Sequence, residues 1–235
     1  TPWNFPVAIP AWKLAPALLC GNTVVLKPAS NAPALAFELA RALEEAALPK
    51  GVLNVLAGDG RSFGDALTRH PAVAAVSFTG SREVGANLYT ALAPRMIRTQ
   101  MEMGGKNPTL VLADADLDLA ARLVAVAGFG LTGQACTATS RVIVERPVLE
   151  AFTEKLIGRA KAIVPGNGLK DGITMGPAVS ESQLHTNLEA LHAAQADGAT
   201  LAWGGGFLAV FAAGATLGNG PLPFRAGLTR VHAAV

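Results

Sequence analysis

The sequence has 235 residues, of which 51% are hydrophobic and 15% charged, so it can bury a core and does not have the composition of a disordered chain. Its net charge of +2 comes without a dense basic run, which argues against nucleic-acid binding, and we find no apolar run of the about 20 residues that a membrane helix needs. The two cysteines and four histidines have no zinc-ligand spacing, so no metal site is expected, and a reducing, cytoplasmic setting is favoured.

The first part of the chain is predicted to alternate strands and helices. Pro33 suits a first helical position, with Ser30 or Asn31 as the N-cap, and Leu35, Leu39 and Leu43 form an apolar stripe. The expected elements are a helix over 10–19, a strand over 23–26, a helix over 33–48, a strand over 52–56, a helix over 62–69, a strand over 73–78, a helix over 82–92 and a strand over 97–102. This order is typical of a parallel sheet covered by helices.

A second series follows the glycine pair Gly104 and Gly105, which we take as the domain boundary. Its expected elements are a strand over 109–112, a helix over 117–128, a strand over 142–145, helices over 148–163 and 180–196 and a strand over 200–203. We therefore predict domains over 1–103 and 104–206. The tail over 207–235 carries only Arg225 and Arg230 as charges and has no clear period. We favour out-of-frame translation over an ordinary diverged terminus for it.

Cys136 lies between a Gly-Gln turn and a run of small hydroxyl residues, where a small molecule could approach a thiol. It is a candidate nucleophile if it is exposed and its thiolate is favoured. The alternative is a buried cysteine that acts as a small hydrophobic residue, which is the commoner role of a free cysteine.

Two further residues are candidates for acid–base and oxyanion chemistry. Glu102 ends a strand between methionines, where partial desolvation would raise the pKa of its carboxyl toward the range of a general base; a solvated strand-end carboxylate is the alternative. Asn4 lies in a loop restricted by Pro2 and Pro6, and its amide could donate to a developing oxyanion.

A nucleotide site is indicated at the ends of two strands. Lys27 follows the first strand, where ligands of parallel sheets bind, and the loop around Ser30 contains no acid, so a 2′-phosphate would meet no repulsion. Gly80 and Ser81 open a helix whose N-terminus suits a phosphate, although Gly85 does not complete the usual glycine fingerprint. A surface lysine and an ordinary tight turn are the alternatives.

Together these segments resemble the aldehyde dehydrogenase superfamily over residues 1 to about 206. The resemblance rests on motifs in family order: Pro2-Trp3-Asn4-Phe5-Pro6, Lys27-Pro28-Ala29, Leu48-Pro49-Lys50-Gly51-Val52-Leu53-Asn54, Phe78-Thr79-Gly80-Ser81, Met101-Glu102-Met103-Gly104-Gly105-Lys106-Asn107-Pro108, Gly133-Gln134-Ala135-Cys136 and Met175-Gly176-Pro177. It implies an α/β fold with a partial Rossmann-like, parallel-sheet cofactor domain and a partial α/β catalytic domain.

The resemblance also implies roles for single residues. Cys136 aligns with the nucleophile, Glu102 with the general base and Asn4 with the oxyanion amide. The cofactor set it implies is Lys27, Ser30, Gly80, Ser81, Gly85 and Gly104. NAD-preferring relatives commonly have a glutamate where Ser30 stands, so NADP is slightly favoured over NAD.

The continuation from Cys136 to Arg141 resembles semialdehyde dehydrogenases such as the 2-oxoglutarate type, with succinate or glutarate semialdehyde as alternative substrates. The expected activity is NAD(P)-dependent oxidation of an aldehyde to its acid through a thioester, with no nucleic-acid or membrane partner. Family members are roughly twice as long and are expected to be homo-oligomers, so we expect a fragment with little turnover by itself. The alternatives are an inactive remnant and a CoA-acylating relative, against which the retained Glu102 argues.

Overall fold

A computed structural model describes residues 1–206, 209–215 and 228–232, with side chains for residues 1–60 and 63–205. The chain divides into two compact units, Thr1–Gly104 and Gly105–Val235. Within the described residues, no helix is both long and apolar enough to cross a membrane.

The first unit alternates helices and strands in the expected order. Its elements are α1 (Ala8–Leu19), β1 (Val24–Leu26), α2 (Ala34–Glu45), β2 (Leu53–Val55), α3 (Gly60–Arg69), β3 (Ala75–Gly80), α4 (Arg82–Leu92) and β4 (Arg98–Met103). Helix α1 starts two residues before the prediction because Pro10 fits the first turn, where its missing N–H is not needed. The predicted cap of α2 is wrong: Pro33 takes the N-cap position, and the Ser30 hydroxyl donates to the Gly58 carbonyl instead.

The strands of this unit are parallel, as predicted, but they form two separate pairs. Strand β1 pairs with β2 from Val24↔Leu53 to Leu26↔Val55, and β3 pairs with β4 from Ala75↔Arg98 to Gly80↔Met103. A sequence pattern identifies strands but does not specify which of them become neighbours. The predicted parallel pairing is confirmed within each pair of described strands.

The core of the first unit lies where α1 and α2 cover β1. Leu14, Leu26 and Ala36 are buried, and Leu39 and Leu43 pack against them. Leu35, the third member of the predicted stripe, is 45% exposed. Residues four apart on a helix drift around its axis because the period is 3.6, so the three leucines do not share one narrow face.

The second unit contains one mixed sheet with helices. Its elements are β5 (Asn107–Val111), α5 (Leu117–Phe129), β6 (Thr139–Glu145), α6 (Leu149–Lys161), α7 (Glu181–Ala196), β7 (Thr200–Gly206), β8 (Ala209–Ala215) and β9 (Leu228–His232). The strand order is β5-β6-β9-β8-β7, in which β5 and β6 are parallel and the other pairs antiparallel. Helices α5 and α6 pack on β6 through buried side chains that include Val124, Val142, Val144, Phe152 and Leu156.

The atypical tail contributes strands β8 and β9 to this sheet. Residues 207–208, 216–227 and 233–235 of that tail lie outside the described residues. Its proposed out-of-frame origin and the functional roles of the domains stay predictions.

Candidate active site

Cys136 occupies the corner of a tight turn between α5 and β6. The Ala138 N–H donates to the Ala135 carbonyl at 3.0 Å, which closes the turn, and the Cys136 side chain is an exposed free thiol. The reading of Cys136 as a buried hydrophobic residue is therefore wrong. Cys20, the other free cysteine, is also exposed, at the end of α1. Exposure makes both thiols accessible, so the surroundings must distinguish them.

The chain approaches the turn through a left-handed backbone. Leu131, Thr132 and Gly133 have φ values of 53°, 59° and 65°. For a residue with a side chain this conformation costs on the order of 1–3 kcal/mol and persists only where the surroundings hold it. The Thr132 hydroxyl donates to the Gly176 carbonyl at 2.9 Å, so the loop around Gly176 is one such support.

The amide of Gln134 connects the turn to the same loop. Its Oε1 accepts a hydrogen bond from the Val179 N–H at 2.8 Å, and its Nε2 donates to the Pro177 carbonyl at 3.4 Å and to the Leu131 carbonyl at 3.3 Å. Thr132 and Gln134 thus give a structural role to the motif Met175-Gly176-Pro177. Sequence reasoning quoted both segments but did not foresee their contact.

Asn107, the first residue of β5, also supports the turn, and it precedes the turn in the sequence, whereas the loop around Gly176 follows it. Its Nδ2 donates to the Cys136 carbonyl at 2.7 Å and to the Ala138 carbonyl at 3.0 Å. The carbonyl groups of the nucleophile candidate and of the residue two positions later are therefore held by one side chain.

In the first unit, Glu102 lies near the end of β4, beside Thr79 of β3 in the strand register. Its side chain is exposed, so the desolvation expected from the neighbouring methionines is not present. Strand alternation explains this: Met101 and Met103 point to the other face of the sheet and are half-buried there. An exposed carboxylate has direct access to water, which a general base in hydrolysis requires.

Lys13 of α1 reaches the face of β3 and β4 that carries Glu102. Its Nζ donates to Ser77 Oγ at 2.6 Å and to Gln100 Oε1 at 3.5 Å. Burial lowers the pKa of Lys13, and the charge of Glu102 opposes that shift. Sequence reasoning missed Lys13, although it is the sole charged residue within α1, and that isolation was the available signal.

Asn4 lies in the turn that precedes α1, in the same unit as Glu102. The Phe5 carbonyl accepts the first helical N–H of this region, from Ile9 at 3.2 Å, so the turn leads directly into the helix. The amide oxygen of Asn4 is buried. A restricted backbone and a buried amide are compatible with the predicted fixed orientation of this side chain.

Lys27 and Ser30 come together at the carboxyl end of β1. Lys27 Nζ donates to the Pro28 carbonyl at 3.0 Å and lies 3.5 Å from Ser30 Oγ. Ser30 Oγ donates at 2.9 Å to the carbonyl of Gly58, in the loop that follows β2. Because β1 and β2 are parallel, both loops lie at the edge where ligands of such sheets bind.

The glycines at the α4 terminus have packing roles that the sequence did not reveal. A Cβ at Gly80 would lie 2.5 Å from the Phe78 ring, and one at Gly85 would lie 2.6 Å from Met103 Sδ. Ser81 is the N-cap of α4 and accepts a hydrogen bond from the Val84 N–H at 3.3 Å. A hydroxyl that accepts one hydrogen bond can still donate another, so the Ser81 hydroxyl can still donate to a phosphate, as predicted. Gly104 is exposed at the end of the first unit, and a Cβ there would meet no atom within 4 Å.

Metal ligation has no support in the described part of the chain, where no group of three or more His, Cys, Asp or Glu side chains could hold an ion.

The model of the family described as "Aldehyde dehydrogenase family" matches residues 1–218. The chain belongs to this family. An α-ketoglutarate semialdehyde dehydrogenase of Haloferax volcanii is 53% identical over 206 residues, which are 88% of this chain and 42% of the relative.

Other aldehyde dehydrogenases show the same relationship. An α-ketoglutaric semialdehyde dehydrogenase of Bacillus subtilis is 48% identical over 205 residues, 87% of this chain and 42% of the relative. A crystal structure of betaine aldehyde dehydrogenase from Staphylococcus aureus in complex with NAD+ superposes with a TM-score of 0.84 at 37% identity, covering 87% of this chain and 41% of that one. The chain thus spans less than half the length of these relatives.

Proposed function

We propose that the chain is the nucleophile-bearing part of an NAD(P)-dependent aldehyde dehydrogenase that oxidises a semialdehyde to its carboxylic acid. The observation that carries the proposal is an exposed Cys136 at the corner of a turn supported by Asn107 and Gln134. Family membership supports the reaction class. The relatives named for α-ketoglutarate semialdehyde favour, as substrate, the semialdehyde of a short dicarboxylic acid, which carries one aldehyde and one carboxylate.

The first step is attack of the Cys136 thiolate on the aldehyde carbonyl carbon. The carbonyl oxygen becomes an oxyanion, which the Asn4 amide and the Cys136 backbone N–H are proposed to receive. Removal of one such donor typically costs about 2.7–4 kcal/mol of transition-state stabilisation. The chemistry that NAD(P)+ supplies when bound is acceptance of the hydride from the adduct carbon, which leaves an acyl thioester on Cys136.

Hydrolysis of this thioester is assigned to Glu102. Its carboxylate takes a proton from water, the hydroxide attacks the acyl carbon and the Cys136 thiolate leaves. The exposure of Glu102 supports this role because the water must reach it. In the CoA-acylating alternative, the thiol of CoA attacks the acyl carbon in place of water. Comparing thioester release by water and by CoA distinguishes the two reactions.

The residues at the end of β1 fit an adenosine ribose. Lys27 Nζ is a donor 3.5 Å from Ser30 Oγ, and the Ser30 hydroxyl, which donates to the Gly58 carbonyl, retains acceptor capacity beside the loop after β2. An ammonium group next to a neutral serine favours a 2′-phosphate, so we propose that NADP is accepted and preferred over NAD. Ser81 and the α4 N-terminus are proposed to face the pyrophosphate, with Gly80 allowing close backbone approach, and Gly85 and Gly104 are proposed members of the same cofactor set.

The test is the mass of a full-length relative that carries the same residues, after incubation with α-ketoglutarate semialdehyde and NADP+, because the chain by itself is expected to turn over little. We expect transient acylation of Cys136 in the parent protein and in the matched control Cys20→Ser, and none in Cys136→Ser. Glu102→Gln should accumulate the thioester because hydrolysis stalls. An acyl group on Cys136→Ser, or unimpaired turnover of Glu102→Gln, would contradict the assigned roles. Faster release by CoA than by water would favour the CoA-acylating alternative.

A further inference from the structure

Asn107 lies at an irregularity in the β5–β6 ladder. The register runs from Asn107↔Thr139 to Pro108↔Arg141, so β6 contains one more residue than β5 at this point. Bulges of this kind redirect a side chain and are frequent next to active sites. Pro108 cannot donate to a ladder, which is compatible with the interrupted pairing. The bulge lies directly after the turn that carries Cys136.

The redirected amide uses its two N–H groups on that turn. Asn107 Nδ2 lies 2.7 Å from the Cys136 carbonyl oxygen and 3.0 Å from the Ala138 carbonyl oxygen. An amide NH2 has two protons to donate, so one carbonyl can be assigned to each. Asn107 is half-buried and Ala138 is buried, so water competes poorly for the bond to Ala138, whereas the bond to the exposed Cys136 is accessible to solvent and depends on its short distance and on the anchor at Ala138.

The Cys136 carbonyl belongs to the planar peptide that joins Cys136 to Thr137. With the peptide planar, the orientation of that carbonyl is set by the backbone dihedrals of Cys136. The ψ angle of Cys136 sets this carbonyl, whereas φ sets the N–H and χ1 sets the thiol relative to the same Cα. A donor that holds the Cys136 and Ala138 carbonyls therefore anchors the turn and the Cα of Cys136, from which both the thiol and the oxyanion-binding N–H project.

We propose that Asn107 is a positioning residue that aligns the Cys136 thiol with the oxyanion-binding N–H of Cys136. This inference rests on the proposed function, in which Cys136 is the nucleophile. Asn107 touches no reacting atom and acts through the backbone of Cys136. Its loss should impair reactions that form an oxyanion and spare reactions of the thiolate that do not.

A purely structural role of Asn107 in joining β5 to β6 is the competing explanation. Other contacts already join these strands. Thr109 Oγ1 and Thr139 Oγ1 share a hydrogen bond at 3.1 Å, and Arg141 Nε donates to the Lys106 carbonyl at 3.1 Å, in addition to the parallel ladder. Strand pairing therefore has support that does not depend on the Asn107 amide.

Two reactions of Cys136 separate the explanations, measured in a Cys20→Ser background to remove the second thiol. With 4-nitrophenyl acetate, the thiolate forms a bond to the carbonyl carbon through an oxyanion, and 4-nitrophenolate leaves with the electron pair. With iodoacetamide, the thiolate displaces iodide and no oxyanion forms. Asn107→Ala should lower the acylation rate by on the order of 10²-fold, as a misplacement of about 1 Å can do, and lower alkylation far less.

Two further variants complete the series. Asn107→Ser keeps one donor, so its ratio of acylation rate to alkylation rate should lie between those of the parent and Asn107→Ala. If the alanine variant fails to fold, the ratio in Asn107→Ser distinguishes the positioning role from the purely structural one. Asn54→Ala removes an amide that donates to the Gly51 carbonyl at 2.9 Å in the first unit and should leave the ratio unchanged.

The outcomes distinguish the two proposals. Equal losses in both reactions, or an unchanged ratio in Asn107→Ala and Asn107→Ser, would overturn the positioning role and leave the nucleophile intact. Acylation that persists in Cys136→Ser would overturn the proposed function. A parent chain that is alkylated at Cys136 but not acylated would contradict both.

Discussion

The Lys13 ammonium group donates a hydrogen bond to the Ser77 hydroxyl over 2.6 Å and thereby links helix α1 to strand β3. Burial lowers the pKa of this lysine from its ordinary value of 10.5, because the charged form loses hydration, and the carboxylate of Glu102 acts in the opposite direction. The lowered pKa shows that the desolvation is only partly compensated. The protein should therefore be more stable where Lys13 is neutral.

The change Lys13→Met tests this relationship through the pH dependence of stability. Between the lowered folded pKa and the unfolded pKa the unfolded chain binds more protons, so the free energy of unfolding should rise with pH through that window. Lys13→Met should remove this rise, whereas Lys50→Met, at an exposed lysine, should retain it. Urea unfolding in steps from about pH 8 to about pH 11 measures the difference, since this range reaches past the usual lysine pKa at which the rise ends. Equal pH slopes in the parent and Lys13→Met would refute the interpretation.

Local patterns predicted the elements well where a signal is short-range. The bounds expected for α4 agree with the structure because Ser81 caps it and apolar spacing continues to Leu92. The residue types of the candidate site could also be read from motifs. The hydrogen bonds and backbone conformation that hold the Cys136 turn could not be predicted from motifs. Asn107 contacts the carbonyl of a residue 29 positions away. Neither Leu131 nor Thr132 has an intrinsic preference for the left-handed backbone that it adopts. Such contacts exist only once the fold brings the segments together.

Cofactor choice should respond to a single change at Ser30. Ser30→Glu places a carboxylate beside Lys27 Nζ, where it would repel a 2′-phosphate and could accept from a free ribose hydroxyl. We expect the ratio of kcat/KM for NADP to that for NAD to fall by about tenfold, which corresponds to about 1.4 kcal/mol. Asn31→Glu, one residue away and exposed, is the matched control. A parent protein that prefers NAD would contradict the premise.

Two helical glycines should respond to alanine with opposite signs. In α4, a Cβ at Gly85 would lie 2.6 Å from Met103 Sδ and 3.3 Å from the Phe78 ring, and overpacking of this kind costs about 1–3 kcal/mol. In α6, a Cβ at Gly158 meets no atom within 4 Å, so alanine should stabilise by about 0.5–1 kcal/mol. Thermal unfolding of Gly85→Ala and Gly158→Ala checks this. A similar gain in both variants would show that Met103 and Phe78 move aside without cost.

Gln134 should fix the loop around Val179 to the left-handed segment, Leu131 to Gly133, that precedes Cys136. Gln134→Met keeps the length of the side chain but leaves the Val179 N–H without its acceptor at 2.8 Å, and an unsatisfied donor of this kind costs about 1–3 kcal/mol when buried, less where water reaches it. Hydrogen exchange at the Val179 amide should therefore accelerate in Gln134→Met. Gln134→Glu retains the accepting oxygen and should keep the protection, even though it loses the two longer donated bonds to Leu131 and Pro177. Unchanged protection in Gln134→Met would mean that the Thr132–Gly176 hydrogen bond alone suffices to hold the left-handed segment in place.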